Sequence, residues 1–152
     1  MFRFRFRLGL IAVLTLGSVA SAGNAETVGV PPAAFAPGQE WSIKSVSHTT
    51  AKVIVGRLET WRGKICVNVS IVDVPIPSGM PGAGGVTEIA HIPFDQAALA
   101  ASVDQLLATR VSPSPSFEVG YKQWQDAKGG VFSISVEKAI EVTLQMVNRR
   151  EG

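Results

Sequence analysis

The chain has 152 residues, 14 Lys and Arg against 12 Asp and Glu, a formal net charge of +2, and a single cysteine. One cysteine excludes an intramolecular disulfide, so packing alone must hold the fold, and this length suits one domain with one core. Three of the cations, Arg3, Arg5 and Arg7, belong to an amino-terminal leader. Without them 11 cations face 12 acids, a net charge of −1, so the pI near 8.9 describes the whole chain only. No basic stripe remains for nucleic acid, which is excluded as an expected partner.

Residues 1–22 read as a secretory signal peptide. Arg3, Arg5 and Arg7 make a positive first region, Leu8 to Leu16 a short apolar core, and Ala20-Ser21-Ala22 a small-residue cleavage motif. Cleavage is expected after Ala22, with Gly23-Asn24-Ala25 giving an alternative site after Ala25. The apolar run is shorter than the roughly 20 residues a membrane span requires, and no second run follows. No cysteine near the site offers a lipid acceptor, and no adjacent arginine pair suggests the twin-arginine route. The expectation is a processed protein, periplasmic or secreted, with no transmembrane segment. Residues 23–39, with Pro31, Pro32 and Pro37, read as a flexible lead-in, and 40–150 as one domain.

Three strand runs open that domain: Trp41 to Val46, Lys52 to Thr60 and Lys64 to Val74. In the third, Ile65, Val67, Val69 and Ile71 share one parity, while Cys66, Asn68 and Ser70 share the other. This alternation predicts one buried and one partly wet face. Arg62-Gly63 suits a tight hairpin turn between the second and third runs. Pro75 to Gly85 has the composition of a long mobile loop, and Val86 to Ile92 reads as a fourth strand.

Helical spacing starts after Pro93. Asp95 is a suitable N-cap, Phe94 and Leu99 occupy hydrophobic-staple positions, and Leu99, Val103, Leu106 and Leu107 form a stripe that predicts a helix ending near Arg110. A Ser-Pro connector follows over Ser112 to Ser116. Phe117, Tyr121 and Trp124 then recur at i, i+4 and i+7, which places three aromatics on one face of a second helix. Gly120 within it marks a close approach, because glycine there costs about 1 kcal/mol relative to alanine. Gly129 and Gly130 stop this helix, and Val131 to Ser135 reads as a short strand. A last amphipathic helix turns Ala139, Ile140, Leu144 and Val147 inward. Together these elements predict a small α+β domain: an antiparallel sheet of four to five strands with about three helices on one face.

Motifs for chemistry are sparse. Phosphate-loop, serine-elbow, His-Glu-x-x-His and Cys-x-x-Cys patterns are missing from the sequence, and no cofactor is expected. The candidate catalytic set is Cys66 as nucleophile with His48 or His91 as base and Asn68 to orient it, since an imidazole can take a thiol's proton. The competing reading is a small half-buried packing cysteine. The two histidines lie far apart in sequence without a paired ligand, so no metal site is expected. Trp41, Trp61, Tyr121 and Trp124 suggest a binding surface, although helical spacing already accounts for Tyr121 and Trp124. Trp61 and Arg62 at the hairpin tip, with Met80 in the Pro-Gly loop, are the candidate contacts. The function expected is non-catalytic binding of another envelope protein or a cell-wall component; the alternative is a small hydrolase built on Cys66.

Overall fold

A computed structural model describes residues 34–151. The leader, both candidate cleavage sites at Ala22 and Ala25, and most of the lead-in lie outside the described residues. The end of the lead-in is tied to the domain. Phe35 is buried edge-on against Trp41, with ring centroids 5.7 Å apart, and Gly38 N–H donates to Val55 O over 2.7 Å.

Five strands, β1 (Glu40–Ile43), β2 (Lys52–Trp61), β3 (Lys64–Pro75), β4 (Val86–Asp95) and β5 (Val103–Ala108), form one antiparallel sheet in the order β4-β3-β2-β1-β5. Among the described residues three helices complete it: α1 (Gln96–Ser102), α2 (Phe117–Asp126) and α3 (Val136–Glu151). This is the small α+β domain that strand runs followed by helical spacing imply. No helix among the described residues is long and apolar enough to cross a membrane.

One sheet face carries Val53, Val55, Val67, Val69, Ile71, Ile92 and Phe94, and it closes against Leu99 of α1 and Val136, Ala139, Ile140 and Leu144 of α3. The third helix departs from the expected layout. α2 lies across the opposite face, where Phe117 meets His91 at 5.4 Å between ring centroids. A Cβ on Gly120 would stand 2.7 Å from His91 Cβ, and one on Gly56 would run into the Phe117 ring. Two glycines, one on each side, therefore let helix and sheet approach. This arrangement also corrects the expected wet face of β3. Cys66, Asn68 and Ser70 are all buried: the segment after α2 lies beside Cys66, Asn68 bonds Glu59 and His91, and Ser70 accepts from Ser114 N–H.

The expected helix from Asp95 to Arg110 is half helix and half strand. Asp95 caps α1 as anticipated, its carboxylate accepting from Ala97 N–H over 3.0 Å. The chain then extends from Val103, because β1 has a free edge and pairing with β5 satisfies it through Ile43↔Val103, Trp41↔Leu106 and Glu40↔Ala108. Leu106 and Leu107 consequently face solvent instead of lining a helical stripe. Val131 to Ser135 is likewise not a strand; it contributes one parallel bridge, Phe132 to Phe94. On α3, Val147 is half exposed rather than inward.

Candidate functional site

The β2–β3 hairpin turns at Arg62 and Gly63, both at positive φ (50° and 80°), which is the sign pattern of a type I′ turn. Two-residue turns place the flanking residues opposite one another, and Trp61 pairs with Lys64. Two residues further in, Glu59 pairs with Cys66, and Cys66 pairs on its other side with Asp95 of β4. One stretch of one sheet face thus presents Trp61, Lys64, Cys66 and Asp95 side by side.

The segment after α2 folds back over this end of the sheet. Three successive carbonyls there accept side-chain donors: Lys128 O from Arg62 Nη2 (2.7 Å), Gly129 O from Trp61 Nε1 (3.2 Å) and Gly130 O from Trp124 Nε1 (2.8 Å). The two indoles pack at a 40° tilt with centroids 4.4 Å apart, and a Cβ on Gly129 would collide with the Trp124 ring. Trp61 is therefore half buried and fixed in orientation, not a freely exposed tip aromatic. Between hairpin and fold-back lies an open cleft of about 260 Å³, with Cys66 at its floor, Trp61, Arg62 and Lys64 on one side and Asp95, Gly130, Val131 and Ser133 on the other.

A buried polar network supports α2 beside this cleft. Asn68 Nδ2 donates to Glu59 Oε1 over 2.8 Å, and its Oδ1 lies 2.8 Å from His91 Nε2. A carboxylate can only accept, so Asn68 must turn its amide nitrogen to Glu59 and its oxygen to His91. His91 therefore carries its proton on Nε2 and donates. Tyr121 O–H donates to Glu59 Oε2 (3.3 Å) and accepts from Gln125 Nε2 (3.2 Å). Burial among Phe117, Tyr121 and Trp124 lowers the His91 pKa to about 4, which keeps the ring neutral.

The candidate catalytic residues are not brought together. Cys66 is buried, and desolvation, reinforced by the charges of Glu59 and Asp95, pushes its thiol up to about 12. A thiol held there is protonated at neutral pH and a poor nucleophile. His91 is committed to Asn68. It also lies four residues from Asp95, the residue opposite Cys66, a displacement of roughly 13 Å along a strand. His48 sits in the β1–β2 loop beyond Lys52, and Glu59 opposite Cys66 is seven residues further along β2, roughly 23 Å of strand. His48 is buried, and its backbone N–H donates to Ser45 Oγ, which in turn donates to Glu137 over 2.7 Å.

Met80 lies at a different place from Trp61 and Arg62. The Pro75 to Gly85 loop is internally hydrogen-bonded, with Ile76 N–H to Gly85 O (3.0 Å) and Ala83 N–H to Met80 O (3.1 Å). Met80 packs on the core and, with Leu144 and Val147, lines a second, mainly apolar cleft of about 240 Å³ beside α3. Trp41 and Tyr121 serve as packing residues. Among the described residues no three His, Cys, Asp or Glu side chains come together as a metal site.

Sequence reasoning brought out Trp61, Arg62 and Cys66 but overlooked Lys64, Asp95 and Ser133. Lys64 was within reach, because a residue directly after a two-residue turn must face the residue directly before it. Ser133 was not, since the fold-back that delivers it depends on tertiary contacts. No known protein family, curated protein or solved structure matches this chain.

Proposed function

We propose that this is an exported, non-catalytic binding protein of the bacterial envelope, periplasmic or secreted, that captures a partner or envelope component at the cleft beside the β2–β3 hairpin. The leader pattern over residues 1–22 supports export. The observation that carries the binding reading is the fixed Trp61 indole beside two exposed cations, Arg62 and Lys64, at one open cleft. Rigid aromatics lose little entropy on binding, and they dominate recognition surfaces for that reason.

The test is a native mass spectrum of the protein isolated from its own envelope fraction, run beside Trp61→Ala. The native protein should appear as a processed monomer carrying a fixed additional mass, and the variant as the bare monomer with an unchanged circular dichroism spectrum. Equal retention of the added mass by both would remove the cleft from the assignment. A bare monomer in both would remove the binding function itself.

A further inference from the structure

We infer that the hairpin cleft takes an acidic saccharide, a sugar ring bearing a carboxylate; this rests on the binding reading above and names its ligand. Arg62 and Lys64 stand at the rim, and Lys128 follows next to them on the fold-back. Among the described residues no carboxylate lies within 4.0 Å of any of these three cations; every ion pair falls elsewhere, at Lys52–Asp73, Arg57–Glu118, Lys122–Asp126 and Lys138–Glu141. Arg62 and Lys64 outnumber Asp95, the one carboxylate in the cleft lining, so the cleft keeps a positive excess that an outside anion can meet, and a carboxylate matches a guanidinium and an ammonium together.

The rest of the cleft selects what carries that carboxylate. Trp61 is locked by its hydrogen bond to Gly129 O and by Trp124 behind it, which makes it a rigid platform for the apolar face of a sugar ring. Opposite stand hydroxyl-compatible groups. Asp95 spends Oδ1 on Ala97 N–H, its Oδ2 has no hydrogen-bond partner among the described residues, and the Ser133 side chain is exposed. A carboxylate that accepts from ring hydroxyls is a sugar-recognising group. It repels a phosphate dianion about twice as strongly as a single carboxylate, so a terminal phosphate monoester suits the cleft poorly. A peptide terminus would need a recess for its side chains, and Trp61 and Val131 are the only large apolar side chains in the lining. The cleft is smaller than pockets that engulf whole ligands, so it holds one or two residues of a chain laid across it.

The experiment titrates the 15N-labelled processed protein with tetragalacturonate, with the fully methyl-esterified tetramer, and with acetate. It follows the Trp61 indole and the Gly130 and Val131 amide signals. The acid tetramer should shift all three saturably, and the ester should bind at least about tenfold more weakly. Acetate should leave the indole unmoved. Lys64→Gln, at an exposed position where folding is safe, should weaken the acid tetramer about fivefold, and raised salt should do the same. Equal binding of acid and ester overturns the inference, as does an acetate response matching that of the tetramer. No shift with the tetramer overturns it too; if Trp61-dependent retention of an envelope mass persists in that case, only the ligand class fails and the binding function stands.

Discussion

His91 is the residue at which burial, hydrogen bonding and pH meet. Its folded pKa near 4 lies below the value of about 6.5 expected in the unfolded chain. The unfolded state therefore binds a proton that the folded state refuses. That difference is absent above pH 7, grows as pH falls through 6.5, and saturates below 4, so the domain loses stability on acidification across that window. The full shift corresponds to about 3 kcal/mol, and partial solvent access to the ring reduces this to about 2. Carboxylates titrate near the lower end of the same range, so the clean comparison is with His91→Gln, which can still donate to Asn68 but does not titrate. Urea unfolding between pH 7 and 4.5 should show the native protein losing about 2 kcal/mol more than the variant. Parallel loss in both would mean that His91 is not the group responsible. The Asn68–Glu59 pair fixes the tautomer, and burial among aromatic rings makes the neutral ring the stable one.

At the scale of elements, α2 shows how much a local pattern can reveal. The i, i+4, i+7 aromatics and the interrupting Gly120 identify a helix that packs closely on something. What it packs on was not legible, because the polar parity of β3 looks like a wet face until the partners of Asn68 and Ser70 are known. Buried polar groups that satisfy one another carry no hydrophobic signature. The segment after α1 failed for a different reason. Val103, Leu106 and Leu107 fit a helical period and not a strand alternation, and the unpaired edge of β1 overrode that local spacing. The fold-back after α2 was legible only as a glycine stop, so the cleft was readable on its hairpin side and hidden on the other. Gly120 gives the sharpest test of the α2 interface. Gly120→Ala gains about 1 kcal/mol of helix propensity but places a methyl 2.7 Å from His91 Cβ, and overpacking of that kind costs about 1–3 kcal/mol. A net loss of up to about 2 kcal/mol should appear in urea midpoints. Val119→Ala, exposed on the same helix, should stay within about 0.5 kcal/mol of the native protein. Equal behaviour of the two variants would mean that α2 sits further from the sheet.

Across the whole molecule the sheet is covered unequally, and the cover sets where stability lies. β2 and β3 are central in strand order; β3 has an apolar layer from α1 and α3 on one side and α2 on the other. β4 is an outer strand partly closed by Phe132, whose backbone exchanges hydrogen bonds with Pro93 and Asp95 at 2.9 Å each. β5 is the other outer strand, six residues long, with four consecutive exposed side chains and β1 as its sole partner strand in the sheet. Amides held between two packed layers open only when the domain unfolds, whereas a short edge strand under open solvent exchanges through local fraying. Native-state hydrogen exchange should therefore give Val53, Val55, Val67 and Val69 amides the protection of global unfolding. The hydrogen-bonded amides of β5 should exchange at least about a hundredfold faster, a gap of about 2.7 kcal/mol. The hairpin cleft stands at the end of the well-protected pair β2–β3, where Trp61 and Lys64 inherit the rigidity of the strands that carry them. Equal protection of β5 and β3 would instead place the whole sheet in a single cooperative unit.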